Sequence, residues 1–280
     1  RTKFYHLIHC TQLISEQQLL FIVKNHVKII DLLRHSAGLN FKGPDDYRKV
    51  IDLSLEEYTK ESIKSPLKFE PGTTWWYSYA TDICGYLIEV LSQEKLDVFL
   101  KSRIFEPLEM NDTFFELPNS KLDRLTTLYV VDENKELVSF DNKTNTPFKD
   151  KVILLNGSGG LLSTTDDYLK FSFMLLNNGI YKEKQIVKKE TLDLMKEDHS
   201  LGLKYKKLAF GNKKGFGLGF EVVKEDGTKF GSKGTFGWGG MFGTYFRVDP
   251  KENMVFIYMT QSFETYKLKL ADKFRALVYE

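Results

Sequence analysis

The run Gly243–Thr260, GTYFRVDPKENMVFIYMT, decides the fold class. Two strand-like stretches, GTYFRVD and NMVFIYMT, flank Asp249-Pro250, a dipeptide that favours a turn. This pattern predicts an antiparallel hairpin. Strand-like stretches also lie upstream, in FGLGFEVV (216–223) and KFGSKGTFGW (229–238), with glycines at their turns. The C-terminal part of the chain therefore predicts an antiparallel sheet.

Amphipathic helical patterns lie before and after this sheet. VKIIDLLRHSAGLN (27–40) predicts a short helix that ends with Gly38 in the left-handed conformation. Ser78 is a candidate N-cap for the helix that follows it, and Thr164 with Asp167 predicts a capping box for another helix. Helices first, then an antiparallel sheet followed by a C-terminal helix, predict an α+β fold.

The sequence divides into three segments. Residues 1–26 contain apolar clusters without a clear period and receive no assignment. Residues 27–165 form a mainly helical part that carries a tyrosine motif, and residues 166–280 form an α/β part with a C-terminal helix. Within the helical part, residues 117–156 are polar and irregular, which predicts surface excursions with short strands.

The composition is that of an ordinary globular protein, with 42% hydrophobic and 28% charged residues among 280. Forty basic residues against 38 acidic ones leave a net charge of +2, which gives no reason to propose nucleic acid or an anionic membrane as a partner. The apolar runs are too short to predict a membrane span. No signal peptide is readable, and the compartment and oligomeric state stay unassigned.

Metal and cofactor motifs are not apparent. His6, His9 and Cys10 are nominal metal ligands, but no second ligand pair follows at a suitable spacing, so neither a metal site nor a cofactor is predicted. The chain has no phosphate-binding Gly-x-x-x-x-Gly-Lys run and no Gly-x-Ser-x-Gly nucleophile elbow. His35, between Arg34 and Ser36 at a helix end, is interpreted as a structural group with satisfied hydrogen bonds.

The stretch PGTTWWYSYATD (71–82) crowds aromatic residues around a strand-to-helix corner. One interpretation is an aromatic corner of the core, which fits Trp75, Trp76 and Tyr79. The other is that a tyrosine, Tyr77, faces a cleft and transfers a proton.

Glycines are densest in GTFGWGGMFG (234–243), within a strand pattern. Glycine weakens a strand, so such a cluster marks a bend or a close approach of another group to the backbone. We interpret it as a strand edge on which a substrate backbone docks.

The order of several blocks resembles that of a known family. The blocks, in chain order, are LLRHSAGLN, FEPGTTWWYS, PLEMNDTFF, GSGGLLSTTDDYLKF, MLLNNG and GWGGMFGTYFRVDP. From Val27 to the C-terminus the chain resembles the serine β-lactamase-like family, which includes class C β-lactamases, penicillin-binding-protein-like peptidases and family VIII esterases. The resemblance implies a β-lactamase/transpeptidase-like fold, an antiparallel sheet flanked by helices with a helical subdomain.

The resemblance also implies site residues. Tyr77 matches the tyrosine of the family's Tyr-x-Asn motif, a general base toward the nucleophilic serine that later protonates the leaving group. Tyr79 stands where many members have the asparagine that holds a β-lactam side chain. This difference makes β-lactamase activity a less favoured interpretation than esterase activity. Trp238-Gly239-Gly240 matches the Lys-Thr-Gly box in its esterase-like form, and the N–H of Met241 would donate to an oxyanion.

The family nucleophile is the serine of Ser-x-x-Lys, several tens of residues before the position of His35. The residues before His35 contain a single serine, Ser15, which lacks the lysine. Two matches elsewhere, SPLK (65–68) and SQEK (92–95), look accidental because one contains a proline and the other follows the tyrosine motif. We therefore expect no nucleophile in this chain, no N-terminal strands and no nucleophile helix.

Two hypotheses follow. The chain is part of an esterase-like serine hydrolase that acts on a small ester or amide, or it is a catalytically inactive homologue that serves as a binding or interaction module. Without the N-terminal strands, a sheet edge is open, so the isolated chain is expected to be poorly soluble or partly molten. A sharp two-state melt would contradict that expectation.

Overall fold

The computed structural model describes residues 12–14, 20–40, 52–205, 210–226 and 230–279. Its α-helices are α1 (Ile29–Leu33), α2 (Leu55–Ser62), α3 (Ala80–Ser92), α4 (Leu96–Leu100), α5 (Thr165–Leu176), α6 (Lys189–Lys196), α7 (Phe263–Lys267) and α8 (Leu270–Val278). Its strands are β1 (Gln12–Ile14), β2 (Leu20–Ile22), β3 (Leu128–Val131), β4 (Leu137–Asp141), β5 (Ile180–Tyr181), β6 (Lys184–Gln185), β7 (Lys214–Phe216), β8 (Glu221–Val223), β9 (Phe236–Gly239), β10 (Tyr245–Asp249) and β11 (Met254–Tyr258).

The chain forms two compact units. The first contains the described residues of Arg1–Leu100, Val152–Gly160 and Asp198–Gly219, and the second contains Lys101–Lys151, Leu161–Glu197 and Phe220–Glu280. Each unit draws on several stretches of the chain, and the three-segment division of the sequence stays a prediction. None of the helices in the described residues is long and apolar enough to cross a membrane.

The first unit is built around α3, which contacts α1, α2 and α4. Apolar residues recur on its inner face at helical spacing, and they are buried against side chains from α1 and from the loops that follow α1 and α2. The core consists of Leu32, Ala37, Leu39, Leu67, Tyr79, Ala80, Ile83 and Leu87, with Cys84 partly buried against it.

Helix α1 ends differently from the sequence prediction. The helix stops at Leu33, and His35, with φ of 55°, is the left-handed residue at its end. The N–H of Ser36 closes the turn by donating to the carbonyl of Asp31 at 2.7 Å. Gly38 also has positive φ, but its role is close packing, because a Cβ there would lie 2.5 Å from the carbonyl oxygen of Phe69.

Two predicted caps also need correction. Tyr79, and not Ser78, is the N-cap of α3. At α5 the Thr164 hydroxyl accepts the N–H of Asp167 as predicted, but the reciprocal half of the box is missing. The Asp167 carboxylate instead accepts the N–H of Asp112 at 2.6 Å, a partner 55 residues earlier in the chain.

The second unit contains the antiparallel sheet predicted from the sequence. Within this unit, strands of the sheet lie side by side in the order β11-β10-β9-β8. Strands β10 and β11 form the predicted hairpin, with Asp249 opposite Met254. Side chains alternate between the two faces of β10. Phe246 packs against Tyr168 of α5 on one face, whereas Tyr245 and Phe256 lie on the other face, where Phe256 meets Phe274 of α8.

A buried ion pair crosses the middle of this sheet. Arg247 of β10 and Glu221 of β8 lie opposite Gly237 of β9 from its two sides, and the guanidinium contacts the carboxylate at 2.5 Å. Gly237 leaves no room for a side chain, because a Cβ would lie 2.2 Å from the Phe246 carbonyl oxygen. The absence of a side chain at Gly237 therefore allows the side chains of Arg247 and Glu221, on the two strands beside it, to form an ion pair directly.

Residues 117–156 match the prediction of surface excursions with short strands. They contain 3-10 turns at Asn119–Arg124 and Pro147–Lys149 and the antiparallel pair β3–β4. The β4 residues are mostly exposed.

Candidate active site

The tyrosine segment, residues 73–79, lies in the first unit just before α3. After a turn in which Gly72 takes a φ of +80°, the chain runs extended beside Lys204. The N–H of Trp75 donates to the Lys204 carbonyl, and the Lys204 N–H donates to the Thr73 carbonyl, each at 3.0 Å. These two bonds join the start of the tyrosine segment to Lys204, which is distant in the sequence.

The aromatic residues of the segment differ in exposure. Trp75 is buried and packs against Phe210 and Phe216, with ring centroids 4.5 and 5.5 Å away. Tyr79 is buried, and its hydroxyl donates to the Ser62 carbonyl at 2.7 Å. The predicted aromatic corner is thus right for Trp75 and Tyr79.

The same prediction is wrong for Trp76. Its side chain is 38% exposed, and the Lys68 ammonium lies 4.1 Å from the centroid of its ring. Side chains alternate in direction along an extended segment, which places Trp76 on the opposite side from its buried neighbour. Tyr77 has a similar exposure, 36%, so more than one third of this side chain meets solvent.

His35 borders Tyr77. The two ring centroids are 4.6 Å apart with an interplanar angle of 44°. The imidazole is buried, its Nδ1 accepts the N–H of Ser78 at 3.4 Å, and burial lowers the pKa of His35 to about 4. His35 is therefore neutral near pH 7, and the interpretation of a structural group with satisfied hydrogen bonds is confirmed at Nδ1.

Asp82, which the sequence analysis did not single out, lies close to the tyrosine segment in the chain. Its carboxylate is buried in the first turn of α3 and accepts the N–H of Ser158 at 2.7 Å. Burial raises the pKa of Asp82 to about 6, although the hydrogen bonds from Ser158 and Gly157 act in the opposite direction. The available sequence signal was an acidic residue inside an otherwise apolar helix start.

Gly157, directly before Ser158, allows this contact. A Cβ on Gly157 would lie 2.4 Å from the Thr81 carbonyl oxygen, so only glycine lets the loop approach the start of α3 so closely. The GSGG block (157–160) thus packs directly beside the helix that carries the end of the tyrosine segment.

The predicted cleft-edge residues lie in the second unit. Strand β9 ends at Gly239, and the chain reverses through a tight turn in which Gly240 N–H donates to Thr244 O at 2.7 Å and Gly243 N–H donates to Gly240 O at 3.1 Å. Trp238 is half-buried and pairs with Phe246 of β10.

Met241 occupies this turn with its side chain 60% exposed. Within the ranges that the structure describes, its N–H meets no hydrogen-bond acceptor. A backbone N–H without an acceptor can donate a hydrogen bond to an anionic oxygen.

Neither Ser-x-x-Lys match has the setting of an activated nucleophile. Ser65 lies in a loop followed by Pro66, and Lys68 of the same motif is the residue over the Trp76 ring. Ser92 is the last residue of α3, and its hydroxyl donates to the Ile88 carbonyl at 2.7 Å. A nucleophilic serine of this type belongs at the start of a helix, with lysine one turn further on.

The described part of the chain holds no group of three or more His, Cys, Asp or Glu residues able to bind a metal ion. His6, His9, Cys10 and Ser15 fall outside the described residues. Cys84 is a poor nucleophile, because burial raises the pKa of its thiol to about 12.

Comparison with known proteins decides the family. The sequence model of the Beta-lactamase family matches residues 19–280. The chain belongs to the β-lactamase family. This membership confirms the family resemblance and the α+β, β-lactamase/transpeptidase-like fold expected from the block order.

Individual members of the β-lactamase family align over most of the chain. An uncharacterised protein of Mycobacterium tuberculosis is 28% identical over 84% of this chain and 62% of its own length. A protein of Escherichia coli K12, provisionally named D-alanyl-D-alanine carboxypeptidase, is 27% identical over 85% of this chain and 57% of its own length. The chain thus spans about six tenths of the length of these relatives.

A solved structure shares the fold. EstCE1, described as a hydrolase with promiscuous acyltransferase activity, superimposes with a TM-score of 0.77 at 22% identity, covering 100% of this chain and 77% of that one. Tyr77 lies in the first unit and Trp238–Met241 in the second, and their roles as site residues of the β-lactamase family stay proposals.

Proposed function

We propose that this chain carries the proton-transferring tyrosine and the cleft edge of an esterase-like serine hydrolase of the β-lactamase family. The observation that supports this most is the contrast within the tyrosine segment. Trp75 and Tyr79 are buried, whereas more than one third of Tyr77, at the position of the family's general base, is exposed.

In the proposed reaction, Tyr77 takes the proton of a serine hydroxyl as the oxygen attacks the carbonyl carbon of the substrate. The bond from that carbon to the leaving group then breaks, Tyr77 returns the proton to the leaving group, and an acyl-enzyme remains. Water hydrolyses the acyl-enzyme by the same steps in reverse order. The N–H of Met241 is the proposed donor to the oxyanion.

We place the Ser-x-x-Lys nucleophile outside these 280 residues. Support comes from the settings of Ser65 and Ser92, one in a loop and the other at the end of a helix. Because loss of a serine nucleophile lowers turnover by about 10⁶-fold, the chain by itself is expected to be almost inactive.

The proposed substrate is a small ester, or less favourably an amide. Tyr79 supports this choice because it replaces the family's asparagine and its ring is buried, with the hydroxyl bonded to Ser62. A side chain held in that way offers no amide to a β-lactam substituent. No nucleic acid or membrane span enters the proposal.

The test begins with the transcript upstream of the Arg1 codon. If it encodes an in-frame Ser-x-x-Lys, the longer product is expressed and assayed with p-nitrophenyl esters. Tyr77→Phe should lower kcat by about 10²–10⁴-fold, the usual range for a general base, whereas the matched variant Tyr79→Phe should keep kcat within about threefold. Retained turnover in Tyr77→Phe would remove Tyr77 from the mechanism.

A second candidate is an inactive homologue that binds a partner. The same settings of Ser65 and Ser92 favour it, because neither serine has the surroundings of an activated nucleophile. A fluorophosphonate probe, which labels activated serines, separates the two candidates. Labelling of the longer product at Ser-x-x-Lys supports the hydrolase, and a stop codon just upstream with no labelling supports the binding module.

A further inference from the structure

His35 contacts three consecutive residues of the tyrosine segment. Its carbonyl accepts the N–H of Trp76 at 2.8 Å, and its Nδ1 accepts the N–H of Ser78 at 3.4 Å. Between these two bonds, its ring lies 4.6 Å from the ring of Tyr77. One residue thus holds the backbone on both sides of Tyr77 and also packs against its side chain.

The backbone of His35 is in a conformation that costs free energy. Its φ of 55° lies in the left-handed region, where glycine has no penalty and histidine is among the better-tolerated residues. A glycine would end α1 equally well, yet it would supply neither Nδ1 nor the ring. The choice of histidine at this helix end is therefore explained by what its side chain contacts and not by the helix itself.

The imidazole is buried among aromatic rings. It is 2% exposed, and its ring centroid lies 5.5 Å from that of Phe216 and 6.2 Å from that of Trp75. Because Nδ1 accepts a hydrogen bond, the proton of the neutral ring is on Nε2. His35 offers Ser78 an acceptor at neutral pH and no charge to Tyr77.

We propose that His35 is a positioning residue for Tyr77, fixing the phenol where it can reach the proton that it transfers. This rests on the proposed role of Tyr77. A general base must come within hydrogen-bond reach of its proton, and a displacement of about 1 Å can cost about 100-fold in rate. His35 itself takes no part in the proton transfer.

Two variants separate the side chain from the backbone. His35→Gly keeps the carbonyl and relieves the left-handed backbone but removes Nδ1 and the ring. His35→Asn also tolerates positive φ, and its amide oxygen restores an acceptor near Ser78. Residue-resolved hydrogen exchange of the 280-residue chain reports both bonds, since it needs neither substrate nor nucleophile.

In His35→Gly, we expect the Ser78 amide to exchange roughly two- to tenfold faster, while the Trp76 amide and the amides of α3 keep their protection. His35→Asn should recover part of the Ser78 protection. In the longer, active product, His35→Gly should lower kcat about 100-fold with KM within about twofold.

The inference is overturned if Ser78 exchange is unchanged in His35→Gly, or if protection is lost equally throughout the first unit in both variants, which would mean that His35 serves stability alone. Failure of the proposed function is distinguishable from both results. Turnover retained in Tyr77→Phe would refute the role of Tyr77, whereas the exchange result at Ser78 would still report the contact with His35.

Discussion

The Asp82 carboxylate accepts the backbone N–H of Ser158 at 2.7 Å, joining residues 76 positions apart in sequence. The bond lies inside the first unit and ties the first turn of α3 to the GSGG block. Asp82 follows Tyr79 by three residues, so this contact holds the helix end of the tyrosine segment. A buried carboxylate is used there although burial disfavours its charge.

Replacing Asp82 separates its hydrogen bond from its charge. Asp82→Ala removes one of the two acceptors of the Ser158 N–H, the other being Asn156 Oδ1 at 2.8 Å. We therefore expect it to be about 0.5–1.5 kcal/mol less stable than Asp82→Asn, whose amide oxygen can accept. Urea denaturation of both variants measures the difference. Equal stabilities would show that the bond to Ser158 contributes nothing.

The stability difference between Asp82→Asn and the wild type should depend on pH. The pKa of Asp82 is raised by burial to about 6 in the folded state, from 3.8. Below about pH 4 the carboxyl is protonated in both states and its contribution is fully present, and that contribution is lost as the pH rises through 6. The asparagine variant should therefore gain up to about 3 kcal/mol on the wild type between pH 4 and 7.

Urea unfolding at closely spaced pH values tests this dependence. His35 also has a shifted pKa, but it is present in both proteins and cancels from the difference. A difference that is constant from pH 4 to 7 would mean that Asp82 is not desolvated as the fold indicates.

The two tyrosines of the segment should respond differently to loss of the hydroxyl. Tyr79→Phe removes the buried bond to the Ser62 carbonyl and should cost about 0.5–1.5 kcal/mol. Tyr77→Phe changes a side chain that is more than one third exposed and should stay within about 0.5 kcal/mol of the wild type. Thermal or urea unfolding of the pair measures this, and a larger loss for Tyr77→Phe would reverse our assignment of the structural tyrosine.

Removing one partner of the ion pair across Gly237 should lower the stability of the fold strongly, whereas replacing both partners by apolar residues should change it little. Glu221→Ala leaves the buried Arg247 guanidinium without its carboxylate and should destabilise the chain by about 3–5 kcal/mol. The double variant Glu221→Leu/Arg247→Met removes both charges and should lie within about 2 kcal/mol of the wild type. A double variant as unstable as Glu221→Ala would show that the charges specify this sheet in a way that apolar residues cannot.

Local patterns in the sequence were sufficient to predict the antiparallel sheet and its hairpin. Asp249-Pro250 lies between two strand patterns, and the strands pair as it predicted. The family resemblance extended this to the fold, because the order of six blocks is a property of the whole chain. Thr164 was also predicted correctly as a cap, since its hydrogen bond is local.

Contacts between distant residues were the part that could not be read from the sequence. The partner of Asp167 is Asp112, and that of Asp82 is Ser158, neither of which lies near in the chain. Gly38 was expected to end α1 because glycine favours positive φ, yet His35 does so since its side chain is held by Ser78 and the aromatic residues around it. Such tertiary interactions override local preferences.

Two later stretches of the chain, Val152–Gly160 and Asp198–Gly219, belong to the first unit. During synthesis, Asp82 therefore leaves the ribosome 76 residues before Ser158, which at about 5–20 residues per second is roughly 4–15 s. Lys204, which bridges the start of the tyrosine segment, emerges later still. Tyr77 is translated 127 residues before Lys204. A nascent chain must therefore keep this aromatic segment from aggregating until that part of its surroundings has been made.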